Sequence, residues 1–139
     1  MHYVTTKDGR LAAVINNRLI DIGAASIALG GAAPCKDMWA LLESSQKVQQ
    51  ELDTLAQKAY EQQLASVVYE PQLVGSPLTY LRRNVLCIGK NYVDHAVEIA
   101  DKMGISADLP KYPIVFSKAT KTLIGPLELI PLHAGVTRK

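Results

Sequence analysis

The alternation of apolar and polar positions predicts short strands at the start of the chain. Met1–Thr5 and Arg10–Asn16 flank Lys7-Asp8-Gly9, and an Asp-Gly step between two such runs predicts a hairpin. Asn16-Asn17 offers a second turn, because Asn tolerates left-handed backbone angles, and Arg18–Asp21 follows as a third strand. Ile22–Pro34 contains Gly23, Gly30 and Gly31 and is expected to be irregular or weakly helical. Lys36–Ser44 holds a short expected helix. A longer one is expected from about Gln46 to Ser66, where Val48, Leu52, Leu55, Ala56, Ala59 and Leu64 keep mostly to three- and four-residue steps. That spacing gives one buried stripe, and its meaning is packing.

Pro71, Gly75 and Pro77 interrupt the pattern, so a domain boundary is expected there, with residues 1–78 on one side and 79–139 on the other. Beyond it, the apolar run Asn84–Ile88 reads as a buried strand with Cys87 inside as a small hydrophobe. Gly89-Lys90-Asn91-Tyr92 then makes a turn. A helix is expected over Asp94–Asp101 with Asp94 at or near its N-cap. Further strands are expected at Ile114–Phe116 and, after a Gly125-Pro126 turn, at Leu127–Leu132. The fold class implied is α+β.

Composition narrows the partners more than the fold. The 139 residues are 48% hydrophobic and 20% charged, ordinary for a soluble globular protein. Fifteen basic and 13 acidic side chains are scattered, giving a net charge of +2 and no basic patch for nucleic acid. No apolar stretch is long enough to span a bilayer, no secretory pattern opens the chain, and no Asn-x-Ser/Thr acceptor occurs. Two cysteines, Cys35 and Cys87, make no disulfide framework. The expectation is a cytoplasmic protein without nucleic-acid or membrane partners.

The residues able to do chemistry concentrate in Gly89-Lys90-Asn91-Tyr92-Val93-Asp94-His95-Ala96-Val97-Glu98. His95 and Glu98 are three apart and share a face if the segment is helical. A carboxylate that accepts one imidazole N–H fixes the tautomer and raises the basicity of the other nitrogen, which suits a general base. The same spacing also serves a solvated ion pair. Gly89-Lys90 is no phosphate loop, since Asn84 and Asn91 stand where that pattern needs Gly and Ser or Thr. His2, His95 and His133 lack ligand partners at zinc spacings.

Three segments in order resemble the fumarylacetoacetate hydrolase family. Val85–Glu98 is similar to its apolar strand ending in Gly, followed by x-Asn-Tyr, one residue, and Asp-His-x-x-Glu. Pro113–Lys118 resembles its Pro-x-x-Phe-x-Lys segment, and Gly125–Pro131 its Gly-x-x-x-x-Ile-x-Pro turn and strand. The resemblance implies a small α+β N-terminal domain followed by the start of a rolled, mostly β catalytic domain, truncated before its end. It implies His95 as general base and Glu98 as its orienting partner. Lys118, Asn91 and Tyr92 would lie at the substrate, with Lys118 meeting a carboxylate or enolate oxygen. Substrates would be 2-oxo or β-diketo acids, undergoing hydrolytic C–C cleavage, decarboxylation or keto–enol isomerisation through an enolate-like intermediate. A homodimer and a Mg²⁺ or Mn²⁺ ion are implied for the full-length parent. The family's Glu-x-Glu ligand pair follows the segment equivalent to Gly135–Lys139. None of the thirteen carboxylates here takes that place, so no metal is expected to bind this chain alone. The alternative is a catalytically silent fragment that keeps only a folding or interaction module.

Overall fold

The first three strands form where alternation and turn chemistry coincide. In a computed structural model that describes residues 1–104, 106, 108–133, 135 and 136, β1 (His2–Thr5), β2 (Leu11–Ile15) and β3 (Arg18–Asp21) pair antiparallel in sequence order. Asn16 and Asn17 close the second hairpin at φ of 44° and 60°, the two left-handed residues that a two-residue turn needs. The strands face inward through Leu11, Ala13 and Ile20, all buried.

Helices cover that inner face. Asp21 ends β3 and caps α1 (Ile22–Ala28), accepting the Ala24 N–H at 2.8 Å. Of Ile22–Pro34, expected to be irregular or weakly helical, Ile22–Ala28 is helical and the rest is irregular. A side-chain cap and the full burial of Ile22 and Ala25 outweigh the cost of Gly23. Asp37 caps α2 (Met38–Leu42) in the same way. α3 (Gln46–Glu61) starts at Ser45 and buries Leu52, Ala56 and Ala59, with Val48 and Leu55 half-buried against the same cluster. Tyr3 Oη donates to Asp53 Oδ1 at 2.8 Å, tying β1 to α3. Burial and that bond push the Tyr3 phenol well above its ordinary range.

α3 ends earlier than its apolar period suggests. Gln63 takes a left-handed φ of 56°, its N–H bonds Tyr60 O at 3.1 Å, and the Leu64 N–H bonds Ala59 O at 2.9 Å. This is a Schellman C-cap built on Gln rather than Gly. Ala65, also left-handed at 48°, turns the chain into β4 (Ser66–Val68), which joins the sheet beside β3. The sheet order is β1-β2-β3-β4.

By packing, the chain divides into Met1–Thr79 with the segment from Leu123 onward, and Tyr80–Thr122. In the first unit two backbone segments cross at glycines. A Cβ on Gly125 would lie 2.9 Å from the Gly75 carbonyl carbon, and one on Gly75 would lie 3.0 Å from Thr6 O. The Gly125-Pro126 turn forms, with the Glu128 N–H on Gly125 O at 3.3 Å. Leu127–Leu132, expected as a strand, has no strand partner, and Leu129 is 92% exposed.

The second unit is a ribbon and a helix. β5 (Val85–Gly89) pairs antiparallel with β6 (Ile114–Lys118) in a two-stranded sheet of its own, and α4 (Val93–Met103) lies between them in sequence. The expected burial of β5 does not hold: Leu86 is 75% exposed and Cys87 only half-buried. Among the described residues no helix is long and apolar enough to cross a membrane.

Candidate functional site

The chemistry-bearing residues begin where β5 stops. Gly89 pairs with Ile114 as the last rung of the ribbon, and Lys90 then takes a left-handed φ of 47°. Such a conformation costs a non-glycine residue about 1–2 kcal/mol, and nothing in the sequence marked Lys90 for it. Its Nζ donates to Ser106 O at 3.4 Å. Asn91 is exposed, and Tyr92, extended at φ −144° and ψ 152°, is the N-cap residue of α4. Asp94, expected at or near the cap, is two residues beyond it. It lies in the first helical turn, where its charge faces the positive end of the helix dipole. The cap itself has no side-chain hydrogen bond.

His95 therefore falls in the first turn of α4, with Ala96 and Ala100 on the buried stripe beside it. Its ring lies 5.3 Å from that of Tyr92, tilted by 31°. His95 Nδ1 is 3.8 Å from Glu98 Oε2, and Lys102 Nζ is 2.6 Å from Glu98 Oε1. The sequence reading found the first pair and missed the second. The His95–Glu98 separation is ion-pair range, roughly an ångström beyond a hydrogen bond. The Lys102 hydrogen bond and charge, with a smaller contribution from His95, hold the Glu98 carboxyl below its ordinary value. The charged form of Glu98 is thus favoured beside the imidazole.

Lys118 is not brought to this turn. It pairs with Val85 at one end of the ribbon, while Gly89 and Ile114 form the other. Four residues of strand at about 3.3 Å each separate the two ends by roughly 13 Å. Among the described residues no group of three or more His, Cys, Asp or Glu could hold an ion. The residues present do not fit the divalent ion that the resemblance implies.

A hollow of about 600 Å³ lies elsewhere, lined by Arg10, Leu19, Val67, Leu73 and their neighbours. Its size suits a ligand. Three of its ionic groups pair with each other: Arg10 bonds Asp8 at 2.7 Å and also pairs with Asp21. No histidine or cysteine lines it. The chemical case rests with α4 and not with the larger hollow.

No family model matches the chain. Curated relatives do. Oxaloacetate tautomerase YisK of Bacillus subtilis is 42% identical over 62 residues, covering 45% of this chain and 19% of that protein. The mitochondrial oxaloacetate tautomerase FAHD2B of Homo sapiens is 32% identical over 79 residues, covering 57% and 23%. The chain thus spans about a fifth of the length of these relatives. A crystal structure described as an HpcE protein from Mycobacterium smegmatis matches 96% of this chain and 41% of its own, with a TM-score of 0.52 and 27% identity.

Proposed function

Since the chain is a member of the fumarylacetoacetate hydrolase family, we propose that it supplies the general-base helix of an enzyme acting on 2-oxo acids. We take the reaction to be keto–enol tautomerisation of a 2-oxo diacid of the oxaloacetate class. The observation that carries this reading is the His95–Glu98 pair on the first turns of α4, directly after the strand-ending Gly89. Two relatives named as oxaloacetate tautomerases support the choice among the family's reactions.

In this reading His95 Nε2 takes a proton from the carbon next to the 2-oxo group. The C–H electrons form the C=C bond, the carbonyl electrons move onto oxygen, and the proton is returned there to give the enol. The reverse path runs from enol to ketone. Glu98 accepts the Nδ1–H and stabilises the imidazolium while the proton is held. Asn91 and Tyr92 shape the turn. We further propose that Lys118 meets a carboxylate or enolate oxygen of the substrate, tested by whether Lys118→Met raises KM. No step is routed through a metal ion. We also keep the domain boundary between residues 78 and 79, with a small α+β module before it and the opening of a rolled, mostly β catalytic domain after it.

A second reading, a silent folding or interaction module, is favoured by two observations: the pair lies on an open surface, and the described residues assemble no ligand group. One experiment separates the two. The ultraviolet decay of enol-oxaloacetate is followed with a chain extended through the family's Glu-x-Glu segment, with and without added Mg²⁺ or Mn²⁺, and again with His95→Ala in that chain. The enzyme reading expects acceleration that falls about 10²–10⁴-fold in the variant. Equal decay with chain, variant and buffer would replace it with the silent module.

A further inference from the structure

Glu98 has two carboxylate oxygens, and two different side chains approach them. Oε2 lies 3.8 Å from His95 Nδ1, and Oε1 lies 2.6 Å from Lys102 Nζ. On a helix of 3.6 residues per turn, positions 95 and 102 are only about 20° apart around the axis, with 98 between them in height and about 60° aside. Tyr92, one turn before His95, extends the row and lies ring to ring with it. The row is thus a chain of contacts along one face of α4, with the carboxylate in its middle and a cation at its far end.

The two contacts are unequal. The Lys102 contact is a charge-assisted hydrogen bond of full strength, while the His95 contact is still too long to be one. The shorter contact of the carboxylate is with Lys102 and not with His95. A glutamate that is 58% exposed at its side chain would otherwise sample many rotamers, because Glu is among the side chains that lose most freedom when fixed.

From this geometry we propose that Lys102 is a positioning residue: by holding Oε1 it presents Oε2 to His95 Nδ1, and so sets the tautomer of the imidazole. The inference rests on reading α4 as the base-bearing helix. It deepens that reading by naming what holds the orienting carboxylate. Lys102 touches no reacting atom in this role.

A Glu–Lys pair four residues apart is also an ordinary helix stabiliser, so the test reads the imidazole and not the helix. The two ring nitrogens of His95 are resolved by nitrogen-15 NMR on the full chain, and the ratio of Nδ1–H to Nε2–H tautomer is taken with wild type, Lys102→Met and Lys102→Arg. Methionine is a good helix former without a donor, and α-carbon shifts confirm that α4 persists. Lys102→Met should lower the Nδ1–H share about twofold, the size expected of a surface pair on one helix face. Lys102→Arg, which keeps a cationic donor, should restore it.

An unchanged ratio in Lys102→Met with α4 intact would overturn the proposal. So would a higher Nδ1–H share, which would mean that Lys102 competes with His95 for the carboxylate. The outcome is independent of turnover. A Lys102-dependent tautomer in a chain that does not accelerate enol decay supports the positioning role and counts against the enzyme reading alone.

Discussion

Gln63 should be improved by glycine, against the usual rule that glycine destabilises. The residue sits just past α3 at φ 56°, a left-handed angle that brings an L side chain's Cβ against its own carbonyl. That costs about 1–2 kcal/mol for a residue other than glycine. Gln63→Gly removes this cost and leaves the Schellman bonds to Tyr60 O and Ala59 O in place, since both are made by backbone. The opposing term is the extra freedom that glycine gives the unfolded chain, about 0.4–1 kcal/mol. The difference is a net stabilisation of about 0.5–1 kcal/mol, which for a unit of this size raises Tm by about 3–6 °C. The side chain is exposed, so little packing is lost.

Urea unfolding followed by far-UV circular dichroism reads the effect as a higher midpoint at unchanged slope. Gln63→Ala is the control. It keeps the Cβ, and with it the strain, so it should stay within about 0.5 kcal/mol of wild type, as an exposed substitution does. The reasoning fails if the glycine variant is no more stable than the alanine variant. That result would mean that the left-handed angle carries no strain here, or that the turn into β4 is held by something other than this cap.

Leu52→Ala should cost about 2–5 kcal/mol by chemical denaturation, because the side chain is fully buried in the one cluster that joins α3 to the sheet. Gly75→Ala should cost about 1–3 kcal/mol in the same assay: its Cβ would meet Thr6 O at 3.0 Å and Lys7 Cα at 3.1 Å, both backbone atoms with little room to move. The hydrogen bond from Arg10, then that from Thr6, lowers the Asp8 carboxyl from 3.8 to about 2. A depressed folded-state value stabilises above the unfolded one, so the gap in urea midpoint between wild type and Asp8→Asn should be full above pH 3.8 and close as pH falls through about 2.

Those parts of the fold that rest on short-range rules were legible in the sequence. Asn16-Asn17 specifies its own turn, the stripe from Val48 to Ala59 specifies its own helix, and Asp8-Gly9 sits in the loop of the first hairpin. The misses have long-range causes or lack a residue signal. α1 tolerates Gly23 only because Asp21 caps it and the sheet buries Ile22. The end of α3 was invisible because Gln63 and Ala65 adopt angles that sequence readers look for at Gly or Asn. β4 exists through its pairing with β3, and Leu127–Leu132 fails as a strand because it lacks such a partner. At the candidate site, His95 and Glu98 approach each other because they stand three positions apart on one helix, which any sequence displays. Lys102 obeys the same rule at four residues and could have been found by extending the row one turn further.

The ribbon explains why a legible base does not yet make a site. An antiparallel strand with one wet face alternates apolar with polar residues. Val85–Ile88 and Ile114–Phe116 do not: both runs are apolar throughout, the pattern of strands covered on both faces. Most side chains of both strands are nonetheless exposed, and a two-stranded ribbon alone is at best marginally stable in water. The sequence of β5 and β6 is therefore matched to more neighbours than these residues supply. The same reasoning applies to the chemistry. A helix face can bring a base and its orienting carboxylate together locally, but a reacting carbon must also be held from other directions, and the ribbon's register keeps Lys118 roughly 13 Å from the turn. Coverage of 41% of the structural neighbour's chain points the same way. The His95–Glu98 contact is local to α4, and under the proposed function the groups that hold the substrate would have to come from surfaces that cover the ribbon.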